Sequence, residues 1–410
     1  FKASDVSPGT TMTGPLRAAA GWLADRSAFP TSVRAVFGYY GHSGAFDLES
    51  LRLKSTVDDR TEAMVEDVFT MIEAALAEEF GVESVTFEYD TKLILPAQLT
   101  LGHLYREARL RANNDDPVAY STWAGRVANR VESDDYRDPD DPTAWEGSPK
   151  NPQALVDRAE FLTRVVIEAL LDGDMRDAVN DEEYDDFEVS IHIEPDEYET
   201  VARVAQQTLE ANLTETLAAL PAEVEEIYDW AVDVSEAHQD RDPRFRELCE
   251  RARDGEEDAV GAIRAEYREA AFDVETDVFT EAELELPYLK TQYARVGVIY
   301  DAMIEMYRHT GLPVDQAFKR SIVLAIIGAQ IWLDDVDDYG VDLEDGQLTP
   351  VTAEYVLADT DREAARRVRE ITERYLDLAR ENATDSESPL TGIATEYIYH
   401  SGDPHVLPGA

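Results

Sequence analysis

One cysteine, Cys249, stands among 410 residues, which excludes an internal disulfide framework. No CxxC pair and no Cys/His spacing of a zinc site occurs. A Gly-x-Ser-x-Gly elbow is missing too, which removes the usual sequence signal of a serine hydrolase. The glycine-rich stretch Gly38-Tyr-Tyr-Gly-His-Ser-Gly44 lacks the Gly-Lys-Ser/Thr of a phosphate loop and reads as a turn. His238, His309 and His405 are isolated, without ligand spacing among them, and read as structural. No run approaches the roughly 18 apolar residues that a membrane span requires, so no membrane insertion is expected. Phe1-Lys-Ala-Ser shows no charged-then-apolar leader pattern, and the expected location is the cytoplasm.

Lysine is equally scarce. Only Lys2, Lys54, Lys92, Lys150, Lys290 and Lys319 occur, so arginine supplies most of the 37 basic residues, against 87 acidic ones and a net charge of −50. Acid surplus with few lysines suits a cytoplasm rich in potassium salt, where screening shortens self-repulsion to a few Å, and the charge is read as a halophile's surface. It argues against nucleic acid as a partner.

What is present is helical. With 44% hydrophobic residues the chain can bury a substantial core. Apolar spacing of three and four predicts helices over 61–79, 101–112, 152–171, 197–220, 221–237, 259–271, 287–309, 314–339 and 361–382. Short extended pieces at 85–90 and 93–95 are expected to pair as a hairpin, with another extended piece at 189–193. The Asp- and Pro-rich stretch 133–152 reads as a loop between an N-terminal helical portion, 1–132, and a helical core, 153–410.

The apolar run 322–333 leads directly into Asp334-Asp335-Val336-Asp337-Asp338. These carboxylates stand at the mouth of a core, near the C-terminal end of a helix whose macrodipole already disfavours them, with Gly340 as the expected stop. Something cationic must offset them. Asp334 and Asp338 share a face at i,i+4, and this oxygen donor set suits Mg²⁺, which takes one or two carboxylates and completes its shell with water and substrate phosphate. Lys290 lies 44 residues upstream, across two helices joined at Gly311-Leu-Pro, so an antiparallel hairpin brings it towards the carboxylates. A lysine opposite metal-binding aspartates makes a diphosphate site.

Tyr288-Leu-Lys290-Thr291, the helical hairpin, Asp334-Asp-Val-Asp-Asp338-Tyr-Gly-Val-Asp342 and Asp345-Gly-Gln-Leu-Thr-Pro350 together resemble the C-terminal half of the all-trans polyprenyl diphosphate synthases. The likeness covers 272–350. It implies an all-α, class I isoprenoid-synthase-like helical barrel or bundle, a homodimer, acting on a small-molecule prenyl diphosphate. It further implies that Asp334, Asp335 and Asp338 hold Mg²⁺ and that Lys290 and Thr291 bind the diphosphate. Asp174 and Asp177 stand where the family's first aspartate motif would fall, but Gly173 replaces its leading Asp and no Arg-Arg pair follows. Arg126 and Arg130 are the counterpart of its basic Gly-Lys-x-x-Arg segment. Gln347 replaces an expected lysine, and Gln330 sits one residue off the family's Phe-Gln position. Trp332 and Tyr293 are candidates for the aromatic wall of a dry, cation-tolerant pocket.

The reaction class that follows is ionisation of an allylic prenyl diphosphate, by prenyl transfer or terpene cyclisation. Asp338 to Asp342, with Gly346 and Pro350, also resembles the second motif of the squalene/phytoene synthases. A catalytically silent paralogue that partners an active synthase, and an acidic helical protein without catalytic function, are the readings from other classes.

Overall fold

The computed structural model describes residues 31–44, 48–113, 115, 117–118, 145, 147–180 and 182–410. Arg126 and Arg130, and most of the 133–152 stretch, lie outside them. The described chain is all-α, with one two-stranded pairing. Its helices are α1 (Thr31–Ser43), α2 (Leu48–Phe80), α3 (Leu95–Arg111), α4 (Pro152–Asn180), α5 (Tyr198–Ala218), α6 (Ala222–Gln239), α7 (Asp242–Arg253), α8 (Glu257–Ile263), α9 (Leu289–Gln292), α10 (Val298–His309), α11 (Gln316–Ala329), α12 (Asp335–Asp337), α13 (Tyr339–Glu344), α14 (Pro350–Leu357), α15 (Asp361–Asp385) and α16 (Pro389–Ser401). No helix among the described residues is long and apolar enough to cross a membrane.

Several expectations change in detail. The piece at 85–90 does not form a local hairpin. Phe87–Glu88 (β1) pairs antiparallel with Glu188–Val189 (β2), while Lys92–Ile94 is a 3-10 turn. Gly38 lies inside α1, where a Cβ would stand 2.7 Å from the Glu396 carboxylate and push that side chain aside. Gly340 ends nothing and lies within α13; the left-handed turn falls at Gly346 (φ +70°), which only glycine adopts without strain. Thr349 then caps α14 through a reciprocal bond with Thr352, with Pro350 at the first helical position, so the Asp345–Pro350 motif is a turn and a helix start.

The chain divides into two compact units. The first holds the described parts of Phe1–Ser50 with Asp229–Ala302 and Asp315–Ala410; the second is Leu51–Tyr228 with Met303–Val314. In the second unit α4 packs against α3 and α5. Its Glu160, Arg164, Glu168, Asp172 and Arg176 follow i,i+4 spacing, and the buried carboxylates are answered by Tyr105 for Glu160, Arg164 for Glu168 (2.7 Å) and Arg176 for Asp172 (2.6 Å).

In the first unit α11 lies along α15, and Gly328 lets the Leu376 side chain approach where a Cβ would stand at 2.7 Å. Buried charge ties this layer together. Lys319 on α11, 1% exposed, pairs with Asp301 at 2.7 Å, and Asp301 also accepts the hydroxyls of Tyr293 and Thr276, each at 2.6 Å. A buried pair contributes little over an apolar replacement, but breaking it leaves an uncompensated charge. Lys319→Met should therefore cost about 3–5 kcal/mol in urea unfolding. Adding Asp301→Asn should recover more than half of that loss; a loss below about 1 kcal/mol in the single variant would show that the pair is solvated.

Candidate functional site

The acidic cluster is built in the first unit where helices leave α geometry. Among the described residues three π-helical segments occur, at Arg264–Arg268, Tyr293–Gly297 and Gln330–Asp334. The second joins α9 to α10, and the third joins α11 to α12. A π turn accommodates an extra residue in a helix and re-aims the side chains that follow, which is why such turns gather at functional sites. Gln330 opens the third segment, directly before the aspartate cluster.

Asp335 is the buried member of the cluster, 2% exposed. Its Oδ1 accepts from Arg295 at 2.9 Å, and its Oδ2 is buried without a hydrogen-bond partner. Burial pushes its carboxyl above the usual range, while Arg295 and the Gln330 amide act against that rise. Asp334 is exposed, yet the protein behind it and the neighbouring Asp335 push its pKa up to about 6, opposed by Arg295. Asp342, half-buried, is pushed up to about 6 by burial and by Asp335, again opposed by Arg295. Asp338 stands one turn after Asp334, its amide donating to the Asp334 carbonyl at 2.8 Å.

The surroundings come from residues that carry no motif in the sequence. Tyr267 is fully buried, within hydrogen-bond reach of the Gln292 amide at 3.4 Å, and the Gln292 Oε1 is buried without a partner. Burial holds His238 neutral, down to about 4, with Arg295 and Arg241 adding to the effect. Burial raises Asp242, and Arg246 and Arg295 oppose the rise. From α7, Arg246 donates to the Asp345 carbonyl at 3.1 Å and to the Gln347 side chain, so a basic group reaches the position where lysine was expected.

Lys290 and Asp335 are not a pair. Lys290 Nζ bonds Asp273 at 2.7 Å, a contact with side chains 22% and 67% exposed, worth about 0–1 kcal/mol. Thr291 is 1% exposed, its hydroxyl spent on the Tyr288 and Tyr267 carbonyls. Tyr288 itself takes φ +64°, held by its amide on the Arg268 carbonyl (2.7 Å) and its hydroxyl on Glu354 (2.7 Å). That strained start fixes the helix that carries Lys290. Trp332, 4% exposed, donates to the Tyr399 carbonyl at 3.0 Å and stacks on that ring. Tyr293 packs edge-on to Phe272 and Phe279.

Asp174 and Asp177 belong to the second unit and lie within α4, which continues to Asn180 where a helix end was expected at 171. Burial raises Asp174, a Tyr89 hydrogen bond opposes it and Asp177 adds to it. Asp172 is fully buried and bound by Arg176, Gln206 (3.1 Å) and Tyr228 (3.2 Å).

Among the described residues no three His, Cys, Asp or Glu side chains converge as a ready-made metal cage. Mg²⁺ does not need one, since one or two carboxylates with water and phosphate suffice. The all-oxygen donor set and the orphaned Asp335 Oδ2 fit such an ion. Models of known families, curated proteins and solved structures yield no match to this chain.

The raised carboxyls make a test. A group whose folded pKa lies above its ordinary 3.8 binds more protons folded than unfolded, so Asp334 and Asp342 lower stability as pH rises from about 4 to about 6, and the penalty is complete above that. His238 works oppositely, its depressed pKa making stability rise with pH between about 4 and 6.5. Comparison with a variant isolates the aspartates. Asp334→Asn and Asp342→Asn should each melt above wild type at pH 7.5 in chelator, with the gap closing near pH 4; variants that melt lower at pH 7.5 would contradict the crowding.

Proposed function

We propose that the chain is a Mg²⁺-dependent class I isoprenoid enzyme that ionises an allylic prenyl diphosphate, acting as a homodimer in the cytoplasm of a halophile. The observation that carries this reading is the half-solvated, electrostatically overloaded carboxylate group Asp334, Asp335, Asp338 and Asp342 around one guanidinium, Arg295. Burial of Asp335 among further carboxylates sets this group apart from solvated acid on a salt-adapted surface.

In this reading Asp334, Asp335 and Asp338 hold the metal. Bound Mg²⁺ would supply charge neutralisation of the departing diphosphate. Lys290 donates to that diphosphate, and its weak, exposed contact with Asp273 yields readily to a phosphate oxygen. Arg246, already beside Gln347, supplies a second donor. Preorganised donors aimed where charge develops make the largest catalytic contribution open to such a site. The raised carboxyl range of Asp334 means that the metal competes with protons below about pH 6, so activity should fall there.

Geranyl, farnesyl and geranylgeranyl diphosphates, each with Mg²⁺ in molar KCl, alone and with isopentenyl diphosphate, test the reading. Pyrophosphate should be released from at least one, and Asp338→Asn should lower the rate by roughly 10²-fold or more. Release from none of them would favour the silent-paralogue reading.

A further inference from the structure

The pairing at the centre of the site is lopsided. Asp335 is locked, 2% exposed on a short helical turn, whereas the Arg295 side chain is 30% exposed on the end of a long flexible stem. A guanidinium can clasp a carboxylate with two parallel bonds, yet Arg295 makes one, to Oδ1, and although the Gln330 amide bears on the same carboxylate, the buried Oδ2 has no hydrogen bond of full geometry. An unfilled buried acceptor is expensive, and a divalent cation satisfies it better than a single hydrogen bond to its neighbour does. Arg295 also bears on Asp334, Asp342, Asp242 and His238, so it is the common counter-charge of the mouth.

We infer that Arg295 is a resident counter-cation that occupies Asp335 until a divalent cation arrives, and then turns to bind the anion that the cation brings. This rests on the reading of the site proposed above. The physical logic is competition followed by coupling. A cation at Asp335 cancels the field that holds the guanidinium, and a freed guanidinium among aspartates finds its best partner in a phosphate group. Metal and anion then favour each other through one side chain with two positions, and the coupling must be reciprocal. Arg295 is thus a phosphate-binding residue in the loaded site and a lock on Asp335 in the empty one. No covalent step is involved.

The test is calorimetric and uses the full chain in molar KCl with MgCl₂ and inorganic pyrophosphate as probes. Removing the resident cation should let Mg²⁺ alone bind Arg295→Gln more tightly than wild type, roughly tenfold, while pyrophosphate binding at saturating Mg²⁺ weakens by a similar factor. Both affinities unchanged, or Mg²⁺ binding weakened, would overturn the inference. If Arg295→Gln does not fold, Arg295→Lys carries the test. Lysine can still pair with Asp335 but lacks the fork, so Mg²⁺ affinity should match wild type while pyrophosphate affinity drops several-fold. Equal pyrophosphate affinity in that variant would also overturn it. Wild-type Mg²⁺ binding no stronger than that of Asp334→Asn/Asp338→Asn would instead remove the reading of the site itself, and the inference with it.

Discussion

A carboxylate with 2% of its surface exposed has to be answered by a cation, and Arg295 is the cation that answers Asp335. Much of the first unit's site follows from that pair. It fixes the π-helical segment Tyr293–Gly297 against the end of Gln330–Asp334, because the guanidinium must reach across from one helix to the other. It also sets the charge balance of the mouth. One guanidinium faces Asp334, Asp335 and Asp342, two of which are pushed up to about 6, so the cluster stays short of positive charge. Stability is given up locally, as is expected where a site is shaped for a ligand.

The surroundings hold that arrangement in place. Lys319 and Asp301 pair inside the hairpin, and Glu354 gathers Tyr288 and Arg268 beneath the helix that carries Lys290. Each is a buried carboxylate with a cation and a tyrosine hydroxyl, in one case Tyr293 and in the other Tyr288. Such networks specify geometry more than they add stability, since apolar residues of equal volume would hold the layers as well. The left-handed Tyr288 is consistent with this, for a tyrosine there persists only when its surroundings fix it from several sides.

The helical periods were legible because α2, α4, α5, α6, α10, α11 and α15 each carry an apolar stripe at three and four. The helix α7 was not, although Phe245, Leu248, Cys249 and Ala252 repeat at that spacing, because dense charge between them hides it. The β1–β2 pairing joins two-residue pieces about a hundred positions apart, too short for any alternation to show. The need for a cation near Asp335 could be read from the sequence, but its identity could not. Lys290 stood out by rarity, whereas Arg295 was one arginine among many; its one signal was a lone charge inside the otherwise uncharged stretch from Thr291 to Ile299. The π turns left no trace in the sequence, since one extra residue in a helical turn does not change the apolar spacing around it.

The most direct measurement is a crystal of the full chain grown in high salt and soaked with Mn²⁺ and inorganic pyrophosphate, with the anomalous signal of manganese locating the ion. The account predicts a manganese peak bound by oxygens of Asp334, Asp335 or Asp338, with a pyrophosphate oxygen completing its shell. Manganese scattered over the acidic surface, with none at Asp335 and the Arg295–Asp335 bond intact beside bound pyrophosphate, would contradict it.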